Sequence, residues 1–156
     1  MNRDHPPFAL EITRVLGAPP DIVFEAWTSA EHARHWWYPR QGGRDFECLD
    51  FTMDFRAGGA YRYCIRSPEG HESWAHGVYR EIVPGRRLVF TFRWESTPTP
   101  FEETLITVTF EPEGTDATRL VFRQEPFADA AMRDSHEGGW GAVLDHLAAH
   151  VARAGK

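Results

Sequence analysis

A chain of 156 residues has room for one full hydrophobic core, and 42% hydrophobic with 26% charged residues is the composition of a globular rather than a disordered protein. The formal charge of −6, with basic pairs such as Arg86-Arg87 set among acidic or apolar residues, supplies no concentrated positive surface and argues against nucleic acid as a partner. No apolar run approaches the roughly 20 residues needed to span a bilayer, so no transmembrane segment is expected.

Residues 1–7 are polar and carry no signal-like apolar run, which predicts a loose tail on a single domain spanning 1–156 and a cytoplasmic location. Phe8, Leu10 and Ile12 alternate with Ala9, Glu11 and Thr13 as in a half-buried strand. Ala18-Pro19-Pro20-Asp21 stops that strand and starts a helix carrying Val23, Phe24 and Trp27. A second short helix runs from Ser29, its cap, to Trp36, with Pro39 beyond its end.

Gln41 to Asp45 reads as loop, after which Phe46 and Cys48, then Phe51, Met53 and Phe55, suggest two short strands; the alternation shifts at Asp50, as a turn or a bulge. Gly58-Gly59 turns the chain into a strand through Tyr61 and Tyr63, and Ser67-Pro68-Glu69-Gly70 leads to the strand Trp74 to Val83. Pro84-Gly85 separates this from Leu88 to Trp94, and Thr97 to Pro100 breaks the sheet. A hairpin at Pro112 to Asp116 joins a strand through Thr104, Ile106, Val108 and Phe110 to one through Leu120 and Phe122. Cys48 and Cys64 lie in strand-like sequence, and reduced thiols are expected, since a domain of this size needs no disulfide.

Consecutive strands with short turns form an antiparallel meander with one face to bury. The remaining long helical segment, about Asp129 to Ala152, must cover it. With Trp140 as the zero of a helical wheel, Leu144, Leu147 and Val151 fall at about 40°, −20° and 20°, and His136 at about −40°. Gly138, Gly139 and Gly141 weaken this helix, and either let it approach a strand closely or open space beside Trp140. The fold class is thus α+β: a curved antiparallel sheet of about six or seven strands around a long C-terminal helix, with two short helices after the first strand.

The aromatic content, 13%, is enough to fill a core or line a pocket. Candidate ligand-binding residues are Tyr63, His76 and His136, polar groups able to orient a molecule, with Trp36, Trp74, Phe92, Trp94, Trp140 and Leu144 as apolar wall. His76 or His136 could also serve as a general acid or base, but no complete catalytic set is evident and no catalytic residue is assigned. The pairs His32/His35 and His146/His150 share helical faces yet lack a third ligand and the glutamate of a zinc protease, so no metal or other cofactor is expected.

Several fragments together carry a family resemblance: Ala18-Pro19-Pro20-Asp21-Ile22-Val23-Phe24-Glu25-Ala26-Trp27, His35-Trp36-Trp37, Asp54-Phe55-Arg56-Ala57-Gly58-Gly59, the run from Gly77 to Phe92, and His136-Glu137-Gly138-Gly139-Trp140. In this order the chain resembles the AHSA1-type (activator of Hsp90 ATPase homologue 1-like) branch of the START-like, or SRPBCC, helix-grip superfamily. The resemblance implies a cavity between sheet and C-terminal helix, with Asp54, Gly58, Gly59, Gly139 and Trp140 as framework rather than catalytic positions. It implies three functional expectations: binding of a small hydrophobic or aromatic molecule, a chaperone-linked or other protein-partner role, and cyclase or hydrolase chemistry in the same cavity. An open sheet edge also offers a route to a homodimer.

Overall fold

Alternating apolar residues leave each strand one face to bury, and the strands meet that demand by forming a single sheet curved around one helix. A computed structural model of the chain describes residues 8–95 and 103–154; the expected tail at 1–7 and the break at Thr97 to Pro100 lie outside the described residues. The elements are β1 (Phe8–Leu16), α1 (Pro20–Glu25), α2 (Ala30–Ala33), β2 (Arg40–Gln41), β3 (Arg44–Asp45), β4 (Glu47–Met53), β5 (Ala60–Arg66), β6 (Glu72–Val83), β7 (Arg87–Trp94), β8 (Thr104–Glu113), β9 (Ala117–Phe127) and α3 (Ala130–Ala154). The seven-stranded antiparallel sheet has the order β1-β9-β8-β7-β6-β5-β4, so the first strand closes the meander beside the last. This is the expected helix-grip architecture.

Pro19 and Pro20 open α1, where a missing N–H costs nothing, and Asp21 lies in its first turn. Ser29 Oγ caps α2 by accepting from the His32 N–H at 3.2 Å. The α2 helix is only four residues long, and the Trp37 N–H closes the following turn on the Ala33 carbonyl at 2.8 Å. Trp36 is completely buried and donates its indole N–H to the Ala26 carbonyl at 3.2 Å, fastening the two short helices together.

Two details differ from the sequence reading. Arg40 to Asp45 is a small hairpin, β2 pairing with β3, rather than loop, and it lies against α3. The stretch from Phe46 to Phe55 carries one strand instead of two: its register against β5 shifts between Cys48 and Asp50, a bulge that moves the inward parity by one residue. Gly58, at φ +87°, makes the turn into β5, and a methyl on Gly59 would overlap the Asp54 carbonyl oxygen.

Trp140, Leu144, Leu147 and Val151 are all buried along one stripe of α3, as their spacing requires. The stripe meets inward residues of the sheet such as Leu10, Phe92, Ile106 and Phe122 in one continuous core. No helix among the described residues is long and apolar enough to cross a membrane.

Candidate functional site

Where the sheet curves away from the first half of α3, a cavity of about 450 Å³ remains, within the usual size of small-molecule sites. β5 contributes Tyr63 and Ile65, β7 ends on Trp94, and α3 presents Ser135, His136, Gly139, Trp140 and Val143. The segment after α2 supplies Trp37 and Pro39, the β2 strand Arg40 and Gln41, and Phe46 and Ser73 complete the wall. Gly139 keeps the helix side open: a methyl there would meet only Pro39 Cβ, at 3.8 Å.

Of the candidate residues, Tyr63, Trp94, His136 and Trp140 line this cavity together. Trp36, Phe92 and Leu144 are fully buried but stand behind this wall, as core. Trp74 and His76 do not reach the cavity. They alternate with the inward residues Ala75, Gly77 and Tyr79 and so occupy the opposite face of β6. There the Arg62 guanidinium covers the Trp74 ring at 3.9 Å, and Glu95 joins Arg62 at 2.7 Å to His76 at 3.1 Å.

The aromatic wall presents ring faces while its polar atoms are drawn into the protein. Trp94 Nε1 donates to His136 Nε2 at 3.0 Å, and His136 Nδ1 donates to the Met132 carbonyl at 2.8 Å. An indole nitrogen only donates and a carbonyl only accepts, which fixes His136 as the neutral Nδ1–H tautomer. Burial, the main influence, lowers its pKa below the ordinary 6.5 and keeps it uncharged. Trp140 Nε1 donates to Gln124 Oε1 at 2.8 Å, and Gln124 Nε2 to Thr104 Oγ1 at 2.8 Å. Thr104 in turn donates to the Phe92 carbonyl at 3.2 Å, so this buried chain is satisfied link by link.

Tyr63 and Trp37 break the pattern. Their rings lie 5.7 Å apart, both residues are buried, and both face the cavity. Burial pushes the Tyr63 phenol pKa far up; the neighbouring Trp37 indole N–H, the next influence, acts to lower it. The two side chains are thus neighbours, yet they miss hydrogen-bond geometry, and Trp37 Nε1 is a buried donor without a partner among the described residues. The Tyr63 hydroxyl, unlike that of Tyr61, which donates to the Thr91 carbonyl at 2.6 Å, has no acceptor for its own proton among the described residues.

Nucleophilic chemistry finds little purchase on the cysteines. Both are free thiols; burial raises the Cys48 pKa to about 11, and burial followed by the Glu72 carboxylate raises that of Cys64. Cys64 pairs with Trp74 across β5 and β6 and shares its outward face. His32 and His150 approach to 3.2 Å and His35 stacks on His150, but among the described residues no group of three or more His, Cys, Asp or Glu is arranged to hold a metal. A larger, more open groove of about 800 Å³ runs between β1, the β2–β3 turn and the other side of α3. Its charged lining, including Arg14, Asp134, Glu137 and Asp145, suits water better than an apolar molecule.

Two residues outside the candidate set belong to this region: Trp37, in the wall, and Gln124, which holds the Trp140 indole. Gln124 shares the parity of Leu120 and Phe122 and was open to detection on that ground.

Residues 17–152 match the model of the family described as activator of Hsp90 ATPase homolog 1-like protein. No curated protein matches the chain. Among solved structures, a protein from Chromobacterium violaceum is 31% identical, with 92% of this chain and 96% of that one covered and a TM-score of 0.78. A protein from Rhizobium leguminosarum, also 31% identical, covers 93% and 94% with a TM-score of 0.74. The AHSA1 protein of Silicibacter pomeroyi is 25% identical over 94% and 99%, with a TM-score of 0.79.

Proposed function

The chain belongs to the activator of Hsp90 ATPase homolog 1-like family, and on that premise we propose that it binds one small, apolar or aromatic molecule in the cavity between the sheet and α3. The observation that carries this reading is the disposition of the wall. The nitrogens of Trp94, His136 and Trp140 are turned onto partners within the protein, so the surfaces offered to the cavity are largely ring faces. Such a wall gains little by holding water and gains roughly 25 cal/mol for each Å² of apolar surface that a ligand covers. Catalysis has less support, because Cys64 and His76 lie on the other face of the sheet and both ring nitrogens of His136 are engaged.

The test uses the indole N–H resonances of a uniformly nitrogen-15 labelled sample during titration with 2-acetylnaphthalene. Binding in the cavity shifts Trp37, Trp94 and Trp140 saturably and leaves Trp74, on the opposite face, unmoved. Shifts confined to Trp74, or none that saturate, overturn the proposal.

A further inference from the structure

We infer that the molecule held in this cavity carries an uncharged carbonyl oxygen, and that the Tyr63 hydroxyl recognises it by donating a hydrogen bond. The inference rests on the binding function proposed above and narrows the class of ligand. Tyr63 is one of the wall residues with a polar atom left over: its hydroxyl proton has no acceptor among the described residues, although the side chain is 2% exposed.

The polar neighbour of that hydroxyl explains why a donor, rather than an acceptor, is on offer. Trp37, whose ring lies 5.7 Å from that of Tyr63, carries in Nε1 a donor only, buried and without a partner among the described residues. An indole nitrogen cannot accept, so this neighbour offers the phenol proton no partner and the O–H remains available to a ligand. The Tyr63 ring is held in place by stacking on Phe51 at 5.4 Å and by an edge contact with Trp94 at 6.4 Å, so the hydroxyl is a fixed point in the wall.

A hydroxyl that opens on an apolar cavity and donates to no protein acceptor is matched by an acceptor on the ligand, and a hydrocarbon of the same shape cannot supply one. Charge selects further. Arg40, the guanidinium among the lining residues, is paired with Asp45 at 3.0 Å, and His136 is neutral. With no uncompensated cation in the described wall, a carboxylate would lose its hydration without an ionic partner, so a neutral carbonyl fits better than an anion.

The test compares 2-acetylnaphthalene with 2-isopropylnaphthalene, nearly equal in shape but differing in the carbonyl, on the intact chain and on Tyr63→Phe. The ketone is expected to bind the natural chain roughly tenfold more tightly than the hydrocarbon, and to lose about that factor in Tyr63→Phe, while hydrocarbon affinity changes by less than about twofold. Infrared spectra of the bound ketone provide a readout that mere structural change would not mimic: the carbonyl stretch lies at lower wavenumber in the natural chain than in the variant. Equal affinities for the two probes in the natural chain, or an unshifted carbonyl stretch, overturn the inference and leave the binding function standing. Failure of both probes to bind overturns the binding function and the inference with it.

Discussion

The Trp94 indole N–H donates to His136 Nε2 across 3.0 Å and so joins the end of β7 to the first half of α3 at the cavity wall. With Nδ1 bonded to the Met132 carbonyl, His136 is neutral, and protonating Nε2 has to break the bond to Trp94. Nitrogen-15 NMR of the ring is expected to show the Nδ1–H tautomer at neutral pH and to keep showing a neutral ring as pH falls through 6.5, because burial lowers the pKa. An Nε2–H tautomer, or a half-protonated ring at 6.5, would contradict that geometry.

Acid should weaken the fold through the same physics. Burial is the leading cause that lowers the pKa of His136, His146 and His150; Asp45 opposes it at His146, and His32, His35 and Arg153 add to it at His150. In the unfolded chain these groups take up protons near 6.5, and in the folded chain only at lower pH. The unfolded state therefore binds more protons, and stability that is complete above that value is lost as pH falls from about 6.5 through the folded pKa values. Denaturant unfolding at neutral pH and at about pH 5 is expected to show a smaller acid loss in His150→Gln than in the natural chain; an equal loss would mean that the cluster contributes nothing.

Gly77 and Gly138 should respond oppositely to alanine. A methyl at Gly77 would overlap the Thr91 carbonyl, the same oxygen to which the Tyr61 hydroxyl donates at 2.6 Å. Gly77→Ala is expected to cost about 3 kcal/mol. Gly138 lies inside α3 with open space around it, and alanine there should stabilise by roughly 0.5–1 kcal/mol through helix propensity. Chemical denaturation of both variants decides the matter, and a neutral Gly77→Ala would rule out the close approach.

Leu144 separates core from cavity. It is 0% exposed and stands behind the wall, so Leu144→Ala should cost about 2–5 kcal/mol while leaving ligand affinity within about twofold. Thermal unfolding and a ligand titration on one sample check the two halves together. A large loss of affinity in a folded variant would place Leu144 in the site after all.

Elements with a long, regular period were legible in the sequence. The alternation of Thr104 to Phe110 and the stripe from Trp140 to Val151 led directly to β8 and α3. Two-residue strands have no period, which is why the Arg40 to Asp45 hairpin read as loop, and the bulge after Cys48 split one strand into two on paper. The cavity wall was half legible for a related reason. On β6 the inward face carries Ala75, Gly77 and Tyr79, small where Tyr61 needs room, while Trp74 and His76, chemically more conspicuous, point outward. Beyond Ala33 the chain leaves the helical period, so the spacing could not say which of Trp36 and Trp37 turns to the cavity. The unpaired Trp37 donor beside Tyr63 depends on three-dimensional placement that no local pattern encodes.

Occupation of the cavity is tested most directly by plugging it. A side chain at Gly139 begins in open space, with Pro39 Cβ as its near contact at 3.8 Å, so Gly139→Leu is expected to fold and to fill the helix side of the cavity. Tryptophan fluorescence titration with 2-acetylnaphthalene should give saturable, one-site binding to the natural chain and at least about tenfold weaker binding to Gly139→Leu. Absence of saturation in the natural chain, or equal affinity in the two, would contradict a ligand site between the sheet and α3.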